Sequence, residues 1–305
     1  MMMNLLERLA TTWIGRSVRT HPAALTAARD LTPAVVITGG ASGIGLALAA
    51  EFARRGEVLV LIGRTQSRLH AAVDTLKQSH AGVRVDTLLL DVGRPESTGV
   101  FSTWLAAHGL YCDVLVNNAA VGISGPFSVA APVQLETLVA TNVAAVARFT
   151  RAVLPSMLAR GRGGIITITS LGALIPGPNQ AAYYASKAFA LSLSEAIASE
   201  TSGLGVRITA VIPGPVETRF HARMNAEGSL YRHVLASATP ERVARLTMRG
   251  YRLGRRVVAP GFLPTLATVA LRCLPHALTV PIVRWLLANG YPAHPPASDD
   301  FPPRF

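Results

Sequence analysis

The stretch AVVITGGASGIGLALAAEFARRG, residues 34–56, predicts a short buried strand, a glycine-rich turn and a helix in direct succession. Within it, Gly39, Gly43 and Gly45 have the spacing G-x3-G-x-G. Glycine lets a backbone approach a pyrophosphate closely, and the N-terminus of the helix that follows favours an anion. The stretch therefore indicates a pyrophosphate-binding turn, with a strand–helix connection that binds nothing as the alternative.

The rest of the chain continues this alternation of strands and helices. Further strands are predicted at EVLVLIGR, VRVDTLLLDV, CDVLVNNAA, GGIITITS, VRITAVIPGPVET and RRVVAPG. Helices are predicted over 65–79, 94–108, 132–160 and the run AAYYASKAFALSLSEAIASE. Such an alternation predicts an α/β fold, in which a parallel sheet carries helices on both faces.

The end of the second strand favours one nicotinamide cofactor over the other. In a dinucleotide fold, an acid at this position hydrogen-bonds the ribose 2′-hydroxyl of NAD. Here Gly63 holds the position and Arg64 follows it, so no carboxylate repels a 2′-phosphate and a guanidinium could bind one. This predicts NADP(H) in preference to NAD(H), unless Arg64 is only a solvated charge. Asp91, which ends the third strand, could accept a hydrogen bond from the adenine amine or cap the next segment.

The stretch TSLGALIPGPNQAAYYASK, residues 169–187, predicts a proton-transfer site. Ser170 closes a β-branched strand, while Tyr183 and Lys187 are four positions apart and share one face of a helix. A phenol has a pKa of about 10, too high for acid–base work near neutral pH, and a nearby ammonium lowers it. A surface tyrosine and lysine on an ordinary helix are the alternative. Asn142, inside an otherwise apolar helix, suggests a functional or hydrogen-bonding role.

The composition describes a chain with a large core and an unevenly distributed positive charge. Half of the 305 residues are hydrophobic, and the formal net charge is +12. Residues 241–290 hold eight arginines and one acid. Cys112 and Cys273 lie far apart and form neither a metal spacing nor a disulfide framework, so a reducing compartment is expected, with Cys112 a small buried residue. Neither a metal nor a nucleic-acid partner is predicted.

Two segments stand outside the alternation. Residues 1–33 lack the continuous apolar run of a secretory signal, and their scattered arginines also suit an organelle transit peptide. The favoured interpretation is a short amphipathic helix with Leu5, Leu9 and Trp13 on one face. Residues 219–239 follow the sixth strand, where open α/β sheets bind ligands, and are predicted to form a lid over the substrate.

Taken together, these residues resemble the short-chain dehydrogenase/reductase family, and the resemblance covers about Ala34 to Gly261. The matching pieces are TGGASGIG (38–45), NNAA (117–120), Asn142, Ser170, YYASK (183–187) and PGPVET (213–218). Their order and spacing are those that the family uses. Two departures are visible, since the family often has NNAG where this chain has Ala120, and glycine where Ala145 follows Asn142. Both replace one small residue with another.

The resemblance implies a single Rossmann-like, doubly wound domain with a seven-stranded parallel sheet. It also implies a catalytic tetrad of Asn142, Ser170, Tyr183 and Lys187. Ser170 would hydrogen-bond the substrate oxygen and Tyr183 would exchange a proton with it. Lys187 would hold the nicotinamide ribose and lower the Tyr183 pKa, while Asn142 would hold a water that links Lys187 to solvent. Tyr183 rather than Tyr184 carries the role because it stands four before the lysine.

The same resemblance implies the cofactor contacts and the assembly. Val216 and Thr218 match positions that contact the nicotinamide carboxamide. Family members commonly pair the helices around 132–160 and 180–202, which implies a homodimer or homotetramer. The full set of expected cofactor-binding residues is Thr38, Gly39, Ser42, Gly43, Ile44, Gly45, Arg64, Asp91, Val92, Asn118, Tyr183, Lys187, Pro213, Gly214, Val216 and Thr218.

The family core leaves the two ends unexplained, so three parts are expected: an N-terminal extension (1–33), the catalytic domain (34–261) and an apolar, basic tail (262–305). The longest charge-free run in the tail region, Val257–Leu271, has 15 residues, fewer than the about 20 that a membrane-spanning helix needs. An interfacial segment remains open. The alternative is a tail that closes the substrate pocket or packs at a subunit interface.

A basic stripe is predicted just before this run. Arginines recur every three or four positions and would share one face of a helix, with apolar residues one position along. The arginines are Arg242, Arg245, Arg249, Arg252 and Arg256, and the apolar residues are Val243, Leu246, Gly250 and Leu253. The stripe could bind an anionic membrane surface, an acidic carrier domain or the phosphates of an activated substrate, or be a solvated face.

The sequence therefore predicts a cytoplasmic NADP(H)-dependent oxidoreductase that interconverts a carbonyl and an alcohol, working as a reductase on a small molecule. The sequence leaves open whether the protein also attaches peripherally to a membrane. One alternative is a non-catalytic NADP-binding or scaffold protein, against which the intact tetrad argues. The other is a membrane-surface reductase of lipid-like substrates.

Overall fold

Seven parallel strands form one sheet whose order along the sheet is β3-β2-β1-β4-β5-β6-β7. The computed structural model describes residues 20–218, 220, 224 and 237–288. In chain order the strands are β1 (Thr32–Thr38), β2 (Val58–Gly63), β3 (Val85–Leu89), β4 (Leu110–Asn117), β5 (Gly163–Ile168), β6 (Val206–Val211) and β7 (Val257–Val258). The predicted doubly wound parallel sheet is confirmed.

Helices cover both faces of the sheet. They are α1 (Pro22–Arg29), α2 (Gly43–Ala53), α3 (Gln66–Ser79), α4 (Ser97–Ala107), α5 (Pro132–Val139), α6 (Ala145–Arg160), α7 (Ala181–Glu200), α8 (Pro240–Arg252), α9 (Phe262–Cys273) and α10 (His276–Leu286). In β1, Val35 and Ile37 join the apolar cluster of α2, α3 and α8, whereas Ala34 and Val36 join that of α4, α6 and α7. Successive residues of a strand point to opposite faces, so a continuous apolar run is what a doubly covered strand requires.

Several predicted boundaries differ from the observed ones. β3 ends at Leu89, so Asp91 lies in the following loop, where its Oδ1 accepts a hydrogen bond from Gly93 N at 3.0 Å. β5 ends at Ile168, and Ser170 caps the short 3-10 helix Leu171–Leu174 instead of ending a strand. In both cases a polar side chain bonds to a backbone N–H two residues on, which turns the chain out of the sheet.

The long helix predicted over 132–160 is continuous, but a π-helical turn, Ala140–Ala144, joins α5 to α6. By length and composition it is the one helix among the described residues that could cross a membrane. However, 44% of its most apolar window is buried inside the protein, where α6 packs against β4 and β5. A core helix of a globular protein meets the same criteria.

The chain ends match the predictions only in part. Residues 1–19, with the predicted amphipathic face, lie outside the described residues. α1 packs against α6, and His21 N donates to Ala159 O at 2.8 Å. Cys112 is buried in β4, as expected, and Cys273 is exposed.

The basic stripe is shorter than predicted. α8 ends at Arg252, and Gly254 turns the chain with a φ of +67°, so Arg256 lies beyond the helix. Leu253, which was expected on the apolar face, is exposed, whereas Val243 and Gly250 are buried. The arginines exposed on α8 are Arg242, Arg245, Arg249 and Arg252.

Replacing Leu115 with alanine should lower the free energy of unfolding by about 2–5 kcal/mol, because this side chain on central strand β4 is 0% exposed. The matched control is Leu89→Ala on edge strand β3, where the leucine is 53% exposed and a change within about 0.5 kcal/mol is expected. Urea titration of both variants measures the difference. Equal losses would contradict this placement of the core.

Candidate active site

A cavity of about 790 Å³ opens at the carboxyl ends of the strands, beside the point where the strand order reverses between β1 and β4. Open α/β sheets bind ligands in this crevice. Its walls come from the glycine turn, the ends of β2 and β3, the segment after β4, and the Ser170 and Tyr183 region. Most of the residues predicted to bind a cofactor line it; Thr38 and Gly45 do not.

The glycine turn has the geometry that its sequence predicts. Gly39 and Gly43 have φ values of +65° and +56°, which favour glycine, and α2 begins at Gly43. Gly45 serves packing, since a Cβ there would lie 2.5 Å from Asn118 Nδ2 and from Gly39 O. The turn therefore presents bare backbone and a helix N-terminus to the cavity, an arrangement suited to an anion.

Thr38 and Asn118 hold the ends of β1 and β4 together. Thr38 Oγ1 donates to Val116 O at 3.1 Å and accepts from Asn118 N at 3.0 Å. Asn118 Nδ2 donates to Thr38 O and Gly39 O, both at 3.0 Å. Because its hydroxyl is buried in this network, Thr38 shapes the turn from behind the cavity wall. Asn118 does line the cavity.

Arg64 and Asp91 face each other at the ends of β2 and β3. Arg64 Nη1 lies 3.9 Å from Asp91 Oδ2, and their side chains are 56% and 40% exposed. An ion pair this long and this exposed holds its partners weakly. Arg68, in the first turn of α3, also lines the cavity and was not predicted from the sequence because its position on a helix face carries no motif. The cavity therefore has two guanidinium groups where a 2′-phosphate would lie.

Ser170, Tyr183 and Lys187 all line the opposite part of the cavity. Tyr183 and Lys187 lie on α7, and Lys187 Nζ is 5.7 Å from the centroid of the Tyr183 ring. Ser170 Oγ accepts a hydrogen bond from Gly172 N at 3.1 Å, which fixes the hydroxyl oxygen at the start of the 3-10 helix. Together these groups can bind an oxygen atom, give it a proton and stabilise the phenolate that remains.

Lys187 is buried, and its Nζ donates to Ile168 O at 3.0 Å. Burial lowers the pKa of Lys187 to about 8, because the ammonium loses its hydration. The amine is still mostly protonated near neutral pH at that value. Its positive charge is thus available in a poorly hydrated place beside the Tyr183 ring.

Asn142 lies in the π-helical turn behind the cavity and does not line it. Its side chain makes two hydrogen bonds with the backbone of Val121. Asn142 Oδ1 accepts from Val121 N at 2.9 Å, and Asn142 Nδ2 donates to Val121 O at 2.8 Å. Asn142 Nδ2 also donates to Ser186 Oγ at 3.0 Å, and Ser186 Oγ donates to Tyr183 O at 2.7 Å. The amide is therefore committed to positioning the segment after β4 and helix α7. Ser186, which makes that link, was not predicted, because the sequence does not distinguish it from the other small residues of the helix.

The ring of Tyr183 packs against apolar side chains on the substrate side. The centroids of the Tyr183 and Phe220 rings are 5.5 Å apart, and those of Tyr183 and Tyr184 are 6.1 Å apart. Met224 is buried against Gly122, where an added Cβ would lie 3.0 Å from its sulfur. Phe220 and Met224 belong to the predicted lid, residues 219–239, most of which lies outside the described residues.

The remaining predicted positions lie where PGPVET leaves β6. Pro213, Gly214, Val216 and Thr218 line the cavity, and a Cβ on Gly43 would lie 3.0 Å from Thr218 Cγ2. Ser42, Ile44 and Val92 line it as well. Over the parts of the chain that the structure describes, no cluster of three His, Cys, Asp or Glu side chains could hold a metal ion.

Residues 33–228 match the family model for short chain dehydrogenases. A short chain dehydrogenase of Pseudocercospora fijiensis is 35% identical over 201 residues, which are 65% of this chain and 64% of that protein. The match thus spans less than two thirds of that relative. The very-long-chain 3-oxoacyl-CoA reductase-B of Danio rerio is 31% identical over 262 residues, 85% of this chain and 76% of its own.

The fold has solved counterparts as well. The short-chain dehydrogenase of Sphingobium yanoikuyae, solved in complex with NADPH, is 29% identical and superposes with a TM-score of 0.69. The superposition covers 80% of this chain and 97% of that one. The family-model match takes in the glycine turn, the Asn142 turn and the Ser170–Lys187 region in one stretch. The chain belongs to the short-chain dehydrogenase family.

Proposed function

We propose that this protein is an NADP(H)-dependent oxidoreductase that interconverts a carbonyl and an alcohol, working as a reductase. The observation that carries the proposal is the meeting of Ser170, Tyr183 and the buried Lys187 at one wall of a dinucleotide-sized cavity. Relatives named as reductases and a structural neighbour in complex with NADPH agree with it.

The residues around the cavity fit NADP(H). The bare backbone of Gly39 and Gly43 leaves room for the pyrophosphate, and the start of α2 favours its charge. Arg64 and Arg68 supply positive charge for a 2′-phosphate, and Gly63 places no acid there. Bound in this cavity, the cofactor would supply the hydride, while the protein would align the reacting carbonyl.

The protein's own residues would handle the oxygen and its proton. Ser170 Oγ would hydrogen-bond the carbonyl oxygen, and the Tyr183 hydroxyl would give that oxygen a proton. Lys187 would stabilise the resulting phenolate and hold the nicotinamide ribose hydroxyls. Asn142 would act as a positioning residue through Ser186, because its side-chain amide is already bonded to Val121 and Ser186. A water that links Lys187 to solvent would then have to bind elsewhere on Asn142, such as its main-chain oxygen.

Replacing Tyr183 with phenylalanine should lower turnover by at least about 10²-fold, because it removes the proton donor and keeps the ring. NADPH oxidation with a panel of ketones and aldehydes measures turnover, and quenching of protein fluorescence measures NADPH binding, which should be retained. Tyr184→Phe is the matched control and should be mild. Near-normal turnover of the Tyr183 variant would contradict the proposed proton transfer from Tyr183.

Replacing Arg64 with alanine should lower the preference for NADPH over NADH, and replacing Arg68 as well should erase most of what remains. A charge-assisted hydrogen bond to a phosphate contributes about 1.5–3 kcal/mol, which is roughly a tenfold to hundredfold difference in affinity. Titration of both cofactors into the unmutated protein and each variant measures it. Arg84→Ala is the control, since Arg84 is exposed beside Asp86 and does not line the cavity. Equal affinities for the two cofactors in the unmutated protein would refute the assignment.

We also propose that the protein is a homodimer or homotetramer, paired through α5, α6 and α7. Val133, Val139 and Phe189 are large apolar side chains exposed on this side. Light scattering at micromolar concentration should give two or four times the chain mass of 32.1 kDa. Phe189→Arg should reduce that mass, whereas Val100→Arg on α4 should not. A monomer mass for the unmutated protein would count against the assembly.

The proposed location is the cytoplasm, with peripheral attachment to an anionic membrane surface. Residues 242–288 contain eight arginines and no acid, which supports attraction to anionic lipid.

A further inference from the structure

The outer side of α9 and α10 is apolar. Large apolar side chains recur at the spacing of one helix face, and each is between 45% and 79% exposed. They are Phe262, Leu263, Leu266 and Val269 on α9, Leu274 in the connection, and Leu278, Ile282 and Trp285 on α10. We call this set the C-terminal apolar face. Single exposed apolar residues are ordinary, but eight large ones on the exposed sides of two successive helices mark a surface that binds something.

The inner side of the two helices is smaller and partly polar. Thr268 on α9 and Thr279 and Val283 on α10 are buried, followed by Leu287. An amphipathic surface helix usually packs its larger apolar side chains against the protein. In α9 and α10 the larger apolar side chains instead point away from it. The inner contacts hold the helices in place and leave the outer face to another partner.

The charge around this face selects an anionic, apolar partner. Arg284 is exposed beside Trp285, and the nearest acid before it in the sequence is Glu241. Arg272 is bonded to Glu195 of α7 at 2.8 Å, so its charge is already compensated. Exposed Phe, Leu and Trp side chains together with arginine are the chemistry of a segment that lies in the interface of an anionic bilayer.

The face adjoins the candidate active site. α9 packs against the 3-10 helix Leu171–Leu174, which begins directly after Ser170. Pro264 on α9 also backs the cavity wall at Gly214, where an added Cβ would lie 3.4 Å from Pro264 Cγ and 3.7 Å from Leu171 Cδ1. A bilayer in contact with α9 would therefore lie next to the part of the cavity that holds the reacting oxygen.

The substrate side of the cavity suits a molecule that arrives from lipid. Tyr183 there faces Phe220, with ring centroids 5.5 Å apart, and both residues line the cavity. Of the charged residues that line the cavity, Arg64 and Arg68 lie at the other end, with the ends of β2 and β3, while Lys187 lies beside Tyr183 and Glu217 follows β6. An apolar chain bound at this site stays out of water, as it does in a bilayer.

We propose that the C-terminal apolar face docks on an anionic bilayer, and that the site takes ketones bearing a long apolar chain directly from it. The substrate class rests on the proposed reductase activity; the docking does not. The bilayer would hold the mouth of the cavity at its surface, so that a lipid-dissolved ketone reaches Ser170 and Tyr183 without crossing water.

The test compares the full chain with two triple variants. The face variant carries Leu266→Ser, Leu278→Ser and Trp285→Ser, and the control carries Leu89→Ser, Val100→Ser and Leu253→Ser, which are exposed elsewhere. Each is sedimented with phosphatidylglycerol and phosphatidylcholine vesicles, and each is assayed with NADPH on butanone in water and on an eighteen-carbon methyl ketone dissolved in vesicles. Thermal melts confirm that both variants fold.

The unmutated chain and the control should sediment with phosphatidylglycerol vesicles, less with phosphatidylcholine, and partly detach at high salt. The face variant should bind at least about tenfold more weakly and lose turnover of the long ketone in proportion, with turnover of butanone unchanged. Sedimentation of the face variant like the unmutated chain would overturn the docking. So would a fall in its mass by light scattering with vesicle binding intact, since that result assigns the face to a second copy.

Two further outcomes distinguish the proposal on docking from the proposal on the substrate. Full turnover of the long ketone by a face variant that no longer binds vesicles would overturn delivery from the bilayer. No turnover of either ketone by the unmutated chain would contradict the reductase proposal and the substrate class, while sedimentation would still decide the docking.

Discussion

The hydrogen bond from the buried ammonium of Lys187 to Ile168 O joins the two halves of the candidate site. It ties α7 to the end of β5, and so sets the distance between Tyr183 on the helix and Ser170 after the strand. Burying a charged amine with so few partners is unfavourable, which the lowered pKa of about 8 reflects. The role proposed for Lys187 in catalysis accounts for this unfavourable burial.

Around this bond, the backbone of the strand ends is held by side chains of which Asn118 lines the cavity and Thr38, Asn142 and Ser186 do not. Thr38 and Asn118 join β1 to β4, and Asn142 joins the segment after β4 to α7 through Ser186. Each amide or hydroxyl here makes several bonds, so the loss of one leaves buried partners unpaired. These bonds therefore stabilise the arrangement of the strand ends around the cavity.

Sequence reasoning went furthest where structure depends on neighbours in the chain. The alternation of strands and helices, the glycine turn and the Tyr183–Lys187 spacing all reflect local periodicity, and the structure has them where they were expected. It failed where tertiary contacts decide. Arg256 lies outside the predicted basic stripe because the chain turns at Gly254. Ser186 links two helices only through its hydrogen bond from Asn142, which the sequence around Ser186 does not reveal. The outward direction of the apolar side of α9 and α10 could not be predicted either, because a periodic pattern does not say which face meets the protein.

The π-helical turn at Ala140–Ala144 has a consequence for how the protein can vary. Such a turn accommodates one residue more than the α-helix on either side of it. Because the extra residue is taken up within the turn, the α-helices on its two sides keep their phase, and Phe149 and Val153 keep their places in the core. Deleting one residue within the turn would leave this phase nearly unchanged, whereas deleting one after Ala145 would rotate the rest of the helix by about 100°. The turn is therefore the place where this helix can change its length by a single codon without moving its core face.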